Sequence, residues 1–440
     1  MSRTRNLLVA ATLLAAATLH AANRYEREVR KTVHYQGGRV SIENSFGAVN
    51  VHDGSAGEVE VHALIRASTQ ELQSAIKVDI SSSAAGVTIR TDYPDRIHNS
   101  SFSVEYVISV PVNAPVSVKN RFGSTSVEGT HASVDVMSRQ GSVTLNEVAG
   151  TMKVDNAFGS VAVEGARGNL TVRNANGSIN VSGLQGTADI GDRFGSVVIS
   201  DVSKGLTLKN SNGSVEVHGT RGPVNIENSF ASVNVSDIGG PLTIDAQNSK
   251  ITASEIRGPA NITTTFAPIE LTEVHGPAKI SGSNGNITAT EIQGPLTVDN
   301  RFGLVNASDV RGPADIDNEN GGVTLKEIHG SAKVRTSFGS VFLKEIAGVV
   351  DVENQNGAIG VSGLAPCHDI RLRTTFGSIK LELPTGGYAI NARTSFGSVN
   401  TELTLANMHS TGDTLTGTVG NGGCKVDLVN TNGNIAIDKE

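Results

Sequence analysis

Seven acidic residues recur at one spacing: Asp237, Glu255, Glu273, Glu291, Asp309, Glu327 and Glu345 each stand 18 residues from the next. If that spacing stacks them into one edge column, like charges face each other a few ångströms apart. Two kinds of chemistry relieve such repulsion. Divalent cations such as Ca²⁺ accept several carboxylate oxygens. Alternatively, the basic side chains Arg257, His275, Arg311, His329, Lys326 and Lys344, one or two residues from the column, compensate it locally. The chain lacks the Gly-Gly-x-Gly-x-Asp pattern of calcium-binding solenoids. The expectation is therefore a solvated, partly compensated edge, and no metal ligand is assigned.

Other reactive side chains are sparse. Cys367 and Cys424 are the only cysteines. In an oxidising compartment they form one candidate disulfide tying down the C-terminal region, while two separate buried thiols fit the spacing equally well. No His cluster accompanies them, so they make no zinc pattern. The histidines are scattered, and no Ser/His/Asp or Cys/His arrangement emerges. No catalytic or cofactor-binding residue is assigned.

The spacing of 18 also governs a phrase that changes one residue in alternate copies: DRFGSVVI at 192–199 becomes NSNGSVEV at 210–217. Its third residue falls at Phe122, Gln140, Phe158, Asn176, Phe194, Asn212, Phe230, Asn248, Phe266, Asn284, Phe302, Asn320, Phe338 and Asn356, thirteen equal steps without an insertion. Two steps of 20 lead to Phe376 and Phe396, a further copy holds Asn432, and an early one surrounds Phe46. With the Phe/Asn residue numbered 3, positions 6, 8, 11, 15 and 17 are apolar and their neighbours mostly polar. That alternation is the mark of short strands with one buried face, two per repeat.

Position 13 is commonly Gly, and position 14 is Pro in six consecutive repeats, from Pro223 to Pro313. Proline has no N–H to donate, so this column marks a corner, not the middle of a ladder. A short constant repeat whose single unit cannot bury its own face predicts an all-β parallel β-solenoid (β-helix) with 18-residue rungs, paired in a 36-residue Phe/Asn superrepeat. A hairpin meander or propeller is the competing architecture, and it fails because Phe poorly tolerates the positive φ of a tight primed turn. Period-two parity carried through positions 15, 17, 1 and 3 points Phe122, Phe158, Phe194, Phe230, Phe266, Phe302 and Phe338 into the end of the core. Asn in alternate rungs then leaves the rings room. Two alternatives stay open: a 36-residue coil stacking Phe on Phe, and an exposed Phe row acting as a sugar-stacking platform.

Residues 1–22 read as a signal peptide, with Arg3 and Arg5 ahead of an apolar run too short to span a bilayer. Residues 23–117 read as a β-rich start and cap containing a short helix, with Ser68 and Glu71 spaced as a capping box. Residues 118–365 are the regular solenoid, and 366–440 its longer coils and C-terminal cap. No later stretch is apolar enough to cross a membrane. A formal charge of −7 carries no electrostatic footprint for nucleic acid.

Three stretches carry a family resemblance: VEYVISVPVNAPVSVKNRFGSTSVEG at 104–129, the Asn-Gly/Phe-Gly repeats, and VNTNGNIAI at 429–437. In these the chain resembles a widespread bacterial β-strand-repeat family of adhesin-type proteins. The resemblance implies an extracytoplasmic β-solenoid and supplies no catalytic or ligand residues. The expected function is that of a non-enzymatic, exported, adhesin-like binding or scaffolding rod at the bacterial cell envelope, in the periplasm or on the cell surface. Its expected partner is polysaccharide or an envelope protein, with no cofactor. A periplasmic envelope-stress or regulatory interaction protein is the second reading. A carbohydrate-active β-helix enzyme is the third, disfavoured because an uninterrupted coil offers nowhere to build a deep pocket.

Overall fold

The computed structural model describes residues 25–95 and 100–440, so the expected signal segment lies outside the described residues. Two long ladders run the length of the molecule. One is built from strands such as Gly205–Asn210, Val224–Ser229 and Leu242–Gln247, and the other from Val197–Val202, Val215–Thr220 and Val233–Ile238. In both, residue i pairs with i+18 in parallel: Leu206 with Val224, Val197 with Val215. One coil therefore takes 18 residues. The 36-residue period belongs to the alternation of side chains, not to the backbone.

The five apolar positions all point inward. In one coil Val197, Ile199, Val202, Leu206 and Leu208 are buried. Each such side chain is worth about 1.5–3 kcal/mol when removed from water, and it packs on its counterpart in the coils above and below. A single coil would leave both of its faces open, which is why the array folds only as a stack.

The corners follow from backbone chemistry. At the Gly-Pro corner the proline carbonyl accepts the N–H of the preceding coil's strand, as in Leu206 N to Pro223 O at 2.9 Å and Val224 N to Pro241 O at 2.9 Å. Gly is needed just before the proline because a Cβ on Gly258 would lie 2.6 Å from the Gly240 backbone. Another corner sits at position 10. Asp237, Glu255, Glu273, Glu291, Asp309, Glu327 and Glu345 all have φ between 50° and 61° there. Gly129, Gly165, Gly183, Gly219 and Gly363 occupy the same register with φ between 61° and 69°. The left-handed residue drops out of the ladder, since pairing passes from Ser200↔His218 directly to Val202↔Thr220. That skip returns position 11 to the inside after a three-residue step.

Antiparallel strands close the N-terminal end. Tyr25–His34 pairs with Glu58–Ala67, which pairs with Phe102–Pro111, and Lys77–Ser83 folds back on Gly86–Asp92. The charged strand Tyr25–His34 leaves an edge unsuited to further pairing. The helix is Gln70–Ala75, and its cap is Thr69, whose side chain accepts from Leu72 N. The expected capping box at Ser68 and Glu71 is thus displaced by one residue, because the hydroxyl that faces the free N–H groups belongs to Thr69.

The C-terminal end does not follow chain order. The coil formed by Cys424–Asn432 and Ile435–Lys439 lies between the coil of Ile370–Phe376 and Ile379–Leu383 and the coil of Tyr388–Phe396 and Val399–Thr401. Ile370 and Ile390 both pair with Val426, from opposite sides. Thr414–Val419 then covers Tyr388–Phe396 antiparallel.

Candidate functional site: an aromatic edge beside a polar groove

The Phe row is on the outside. Phe122, the least open of the predicted row, is 40% exposed; Phe158, Phe194, Phe230, Phe266, Phe302 and Phe338 are more open, and Phe396 reaches 73%. This corrects the inward orientation expected from parity. The reason lies one residue earlier. Pairing passes from Ser138↔Asn156 to Gln140↔Phe158 with no partner for position 2, so the alternation breaks and position 3 turns outward. At Phe230, where Ala231 replaces the usual glycine, the Phe itself takes φ 58°.

The inward place at this corner is position 1, occupied by Asn120, Asn156, Asn174, Asn210, Asn228, Asn300, Asn318 and Asn354, all buried. Their amides satisfy the turn from inside. Asn210 Nδ2 donates to Gly213 O at 2.8 Å and Gly195 O at 3.2 Å, and Asn354 Nδ2 to Gly339 O at 2.9 Å and Gly357 O at 3.2 Å. An unpaired buried carbonyl costs about 1–3 kcal/mol, so this column holds the Phe edge in place. The position-3 amides make only long bonds to the preceding coil, such as Asn212 Nδ2 to Arg193 O at 3.4 Å. The position-1 column was visible in the sequence as the Asn of NRF, NAF, NAN and NSN, a signal that period-two reasoning passed over.

Along the edge, Phe alternates with Asn or Gln in adjacent coils: Phe122↔Gln140, Gln140↔Phe158, Phe158↔Asn176, Phe302↔Asn320 and Asn320↔Phe338. Rings two coils apart are separated by about 9.6 Å along the axis. A column of outward serines, Ser124, Ser142, Ser160, Ser178, Ser196, Ser214 and Ser232, runs beside it at position 5. On the other side lies an open groove of about 840 Å³, lined at positions 18, 1 and 2 of successive coils from Met137 to Gln247. Its charges offset one another: Arg139, Arg173, Arg193 and Lys209 face Asp155, Asp192, Glu227 and Asp245. Some are paired directly, Arg173 Nη2 to Asp189 Oδ2 at 2.6 Å and Lys209 Nζ to Glu227 Oε1 at 2.8 Å. Asp192 stands in the buried Asn column, and burial raises its pKa.

The acidic column lies at a different corner, half-exposed to exposed and compensated only in part, with no ion pair at Glu255 or Glu291 among the described residues. Arg257 pairs with Asp237 at 3.4 Å, His275 with Glu273 at 3.9 Å, His329 with Asp309 at 3.8 Å and Lys344 with Glu345 at 3.5 Å. Lys326 bonds Glu327 at 2.5 Å and holds its carboxyl below the usual range. Among the described residues, no three of His, Cys, Asp and Glu are grouped to hold a metal ion. Cys367 and Cys424 are bonded, with Cα atoms 5.3 Å apart. Among the described residues, no helix is long and apolar enough to cross a membrane.

An uninterrupted parallel coil carrying a continuous side-chain edge defines the class: a β-solenoid repeat protein. Within that class the chain belongs to the Toastrack DUF4097 family, whose model matches residues 203–438. The regular coils from 118 to 202 extend the same register ahead of the matched region. A crystal structure of a "putative cell adhesion protein" from Clostridium sporogenes is similar over 94% of this chain and 100% of that one. At 10% identity and a TM-score of 0.18 that likeness carries no argument. No curated protein matches the chain.

Proposed function

We propose that this protein is an exported, non-enzymatic binding rod of the adhesin type that holds a neutral, extended polysaccharide along its Phe edge. The observation that carries this reading is the exposure of the whole Phe row at a constant two-coil interval. Isolated open rings are ordinary on a protein surface, but a row of them at one repeating interval along one edge suits a partner that itself repeats. Aromatic faces stack on the C–H faces of sugars, while the alternating amides and the serine column offer donors and acceptors to hydroxyl groups. The balanced charge of the flanking groove favours an uncharged ligand over an anionic one. Each ring contributes little, and repetition along one chain supplies the avidity.

The test is affinity electrophoresis through gels containing neutral β-linked or α-linked glucans, with the intact protein and the triple variant F158A/F194A/F230A. Retardation of the intact protein and its loss in the variant support the reading. Equal mobility of both proteins in every glucan gel overturns it.

A further inference from the structure

We propose that the slot between the coil 370–383 and the coil 388–401 is a strand-acceptor site, and that its second possible occupant is residues 424–440 of another copy of this chain. The site is filled in cis by a segment that reaches it from outside. Cys424–Asn432 enters between two strands already joined to each other in sequence, pairing with Ile370–Phe376 on one side and Tyr388–Phe396 on the other. Ile435–Lys439 does the same in the other ladder. The inserted coil buries Val426, Leu428, Asn430, Ile435 and Ile437, so an empty slot exposes core and two open strand edges. Only an identical coil restores every pairing, and another copy carries one.

The segment has a hinge and a lock. Gly420, Asn421, Gly422 and Gly423 immediately precede it, with Gly420 at φ 58° and Gly422 at φ 66°, so a change of direction there needs little reorganisation. The first residue after the hinge is Cys424, bonded to Cys367 at the corner ahead of the acceptor coil. Cys424 N also donates to Gly387 O, and Lys425 N to Asp369 Oδ1. The disulfide thus ties the donor segment to its own acceptor. Once a dithiol cleaves it, giving two protein thiols and the oxidised cyclic dithiol, cis and trans filling make the same contacts and concentration decides between them.

The experiment uses the full chain as two variants, C367A and isotopically heavy C424A, each unable to form the native bond alone. They are mixed at high concentration, held reduced and then reoxidised with glutathione disulfide, which takes up the two electrons as two glutathione thiols. Exchange predicts a covalent dimer whose linked peptides join light Cys424 to heavy Cys367. Folded monomers alone, or dimers of like chains alone, overturn the proposal. Should either variant fail to fold, the wild-type chain decides. Reduction and reoxidation at high concentration must yield dimers linked Cys367 to Cys424 between chains, and a bond formed only within chains overturns it. Neither outcome depends on whether the Phe edge binds a glycan.

Discussion

Phe376 stands opposite Asn432 in the ladder, and Asn432 stands in turn opposite Phe396. The two phenylalanines follow one another in the chain, yet the inserted coil separates them and restores the Phe/Asn alternation in space. The alternation is therefore a property of the finished edge. Where it lapses, at Phe46 and Phe122, the rings come into contact, stacked at 5.1 Å and 6° between planes. Elsewhere each ring is left open.

Because position 3 is exposed, its identity contributes little to stability. Phe194→Ala and Asn212→Phe are each expected to change unfolding free energy by no more than about 0.5 kcal/mol, as surface substitutions do. A buried ring would cost about 3–5 kcal/mol on truncation. Urea denaturation of the two variants separates these cases.

The neighbouring buried amide behaves oppositely. Asn210→Ala removes the donor to Gly195 O and Gly213 O and leaves both carbonyls facing the core. The expected loss is about 1–3 kcal/mol for the unsatisfied groups. Asn212→Ala, two residues away, gives the matching control with almost no loss. Denaturation of this pair measures the inside of the corner against its outside.

The coil itself was legible because a constant spacing of 18 with five apolar positions admits few architectures. The orientation of Phe194 was not, because one unpaired residue at position 2 reverses parity and leaves no mark in hydrophobicity. The left-handed corner was half legible: Gly165, Gly183 and Gly219 share the register of Asp237 and Glu255, but the acidic residues invite an electrostatic reading first. The insertion of 424–439 was invisible, since Val426 between Ile370 and Ile390, and Leu428 between Leu372 and Ala392, fit by the same pattern that would fit them to the end of the stack.

Position 10 holds side chains in a conformation that disfavours them. Glu273 at φ 57° bears the cost that L-residues carry in the left-handed region. Glu273→Gly is expected to raise stability by roughly 1 kcal/mol, despite the greater freedom it gives the unfolded chain. Gly219→Ala, at φ 69°, is expected to lower it by a similar amount. Thermal unfolding of both variants checks the sign, and a destabilised E273G would mean that the carboxylate makes an interaction worth more than the backbone strain.

Asp192 is the acidic member of the buried Asn column, 6% exposed, with neither carboxylate oxygen hydrogen-bonded. Its neighbours Asn174 and Asn210 donate to glycine carbonyls from the same register, Asn174 Nδ2 reaching Gly177 O at 2.8 Å. A carboxylate there can only accept, and burial raises its pKa, while the nearby Arg193 backbone N–H pulls weakly the other way. Arg173 and Lys209, on the adjoining coils, turn to Asp189 and Glu227 instead. A folded-state pKa above the unfolded value means that the folded protein binds the proton more tightly. The associated stability is present below the unfolded pKa, about 3.9, and is lost as pH rises through the raised folded value. Asp192→Asn supplies the missing donor at every pH. The variant should therefore be more stable than the parent at neutral pH by about 1–3 kcal/mol, with the difference shrinking as the pH falls below the folded pKa. Urea midpoints of the two proteins from neutral to acidic pH measure this, and a gap that stays constant across the range would mean that folding leaves the Asp192 pKa unshifted.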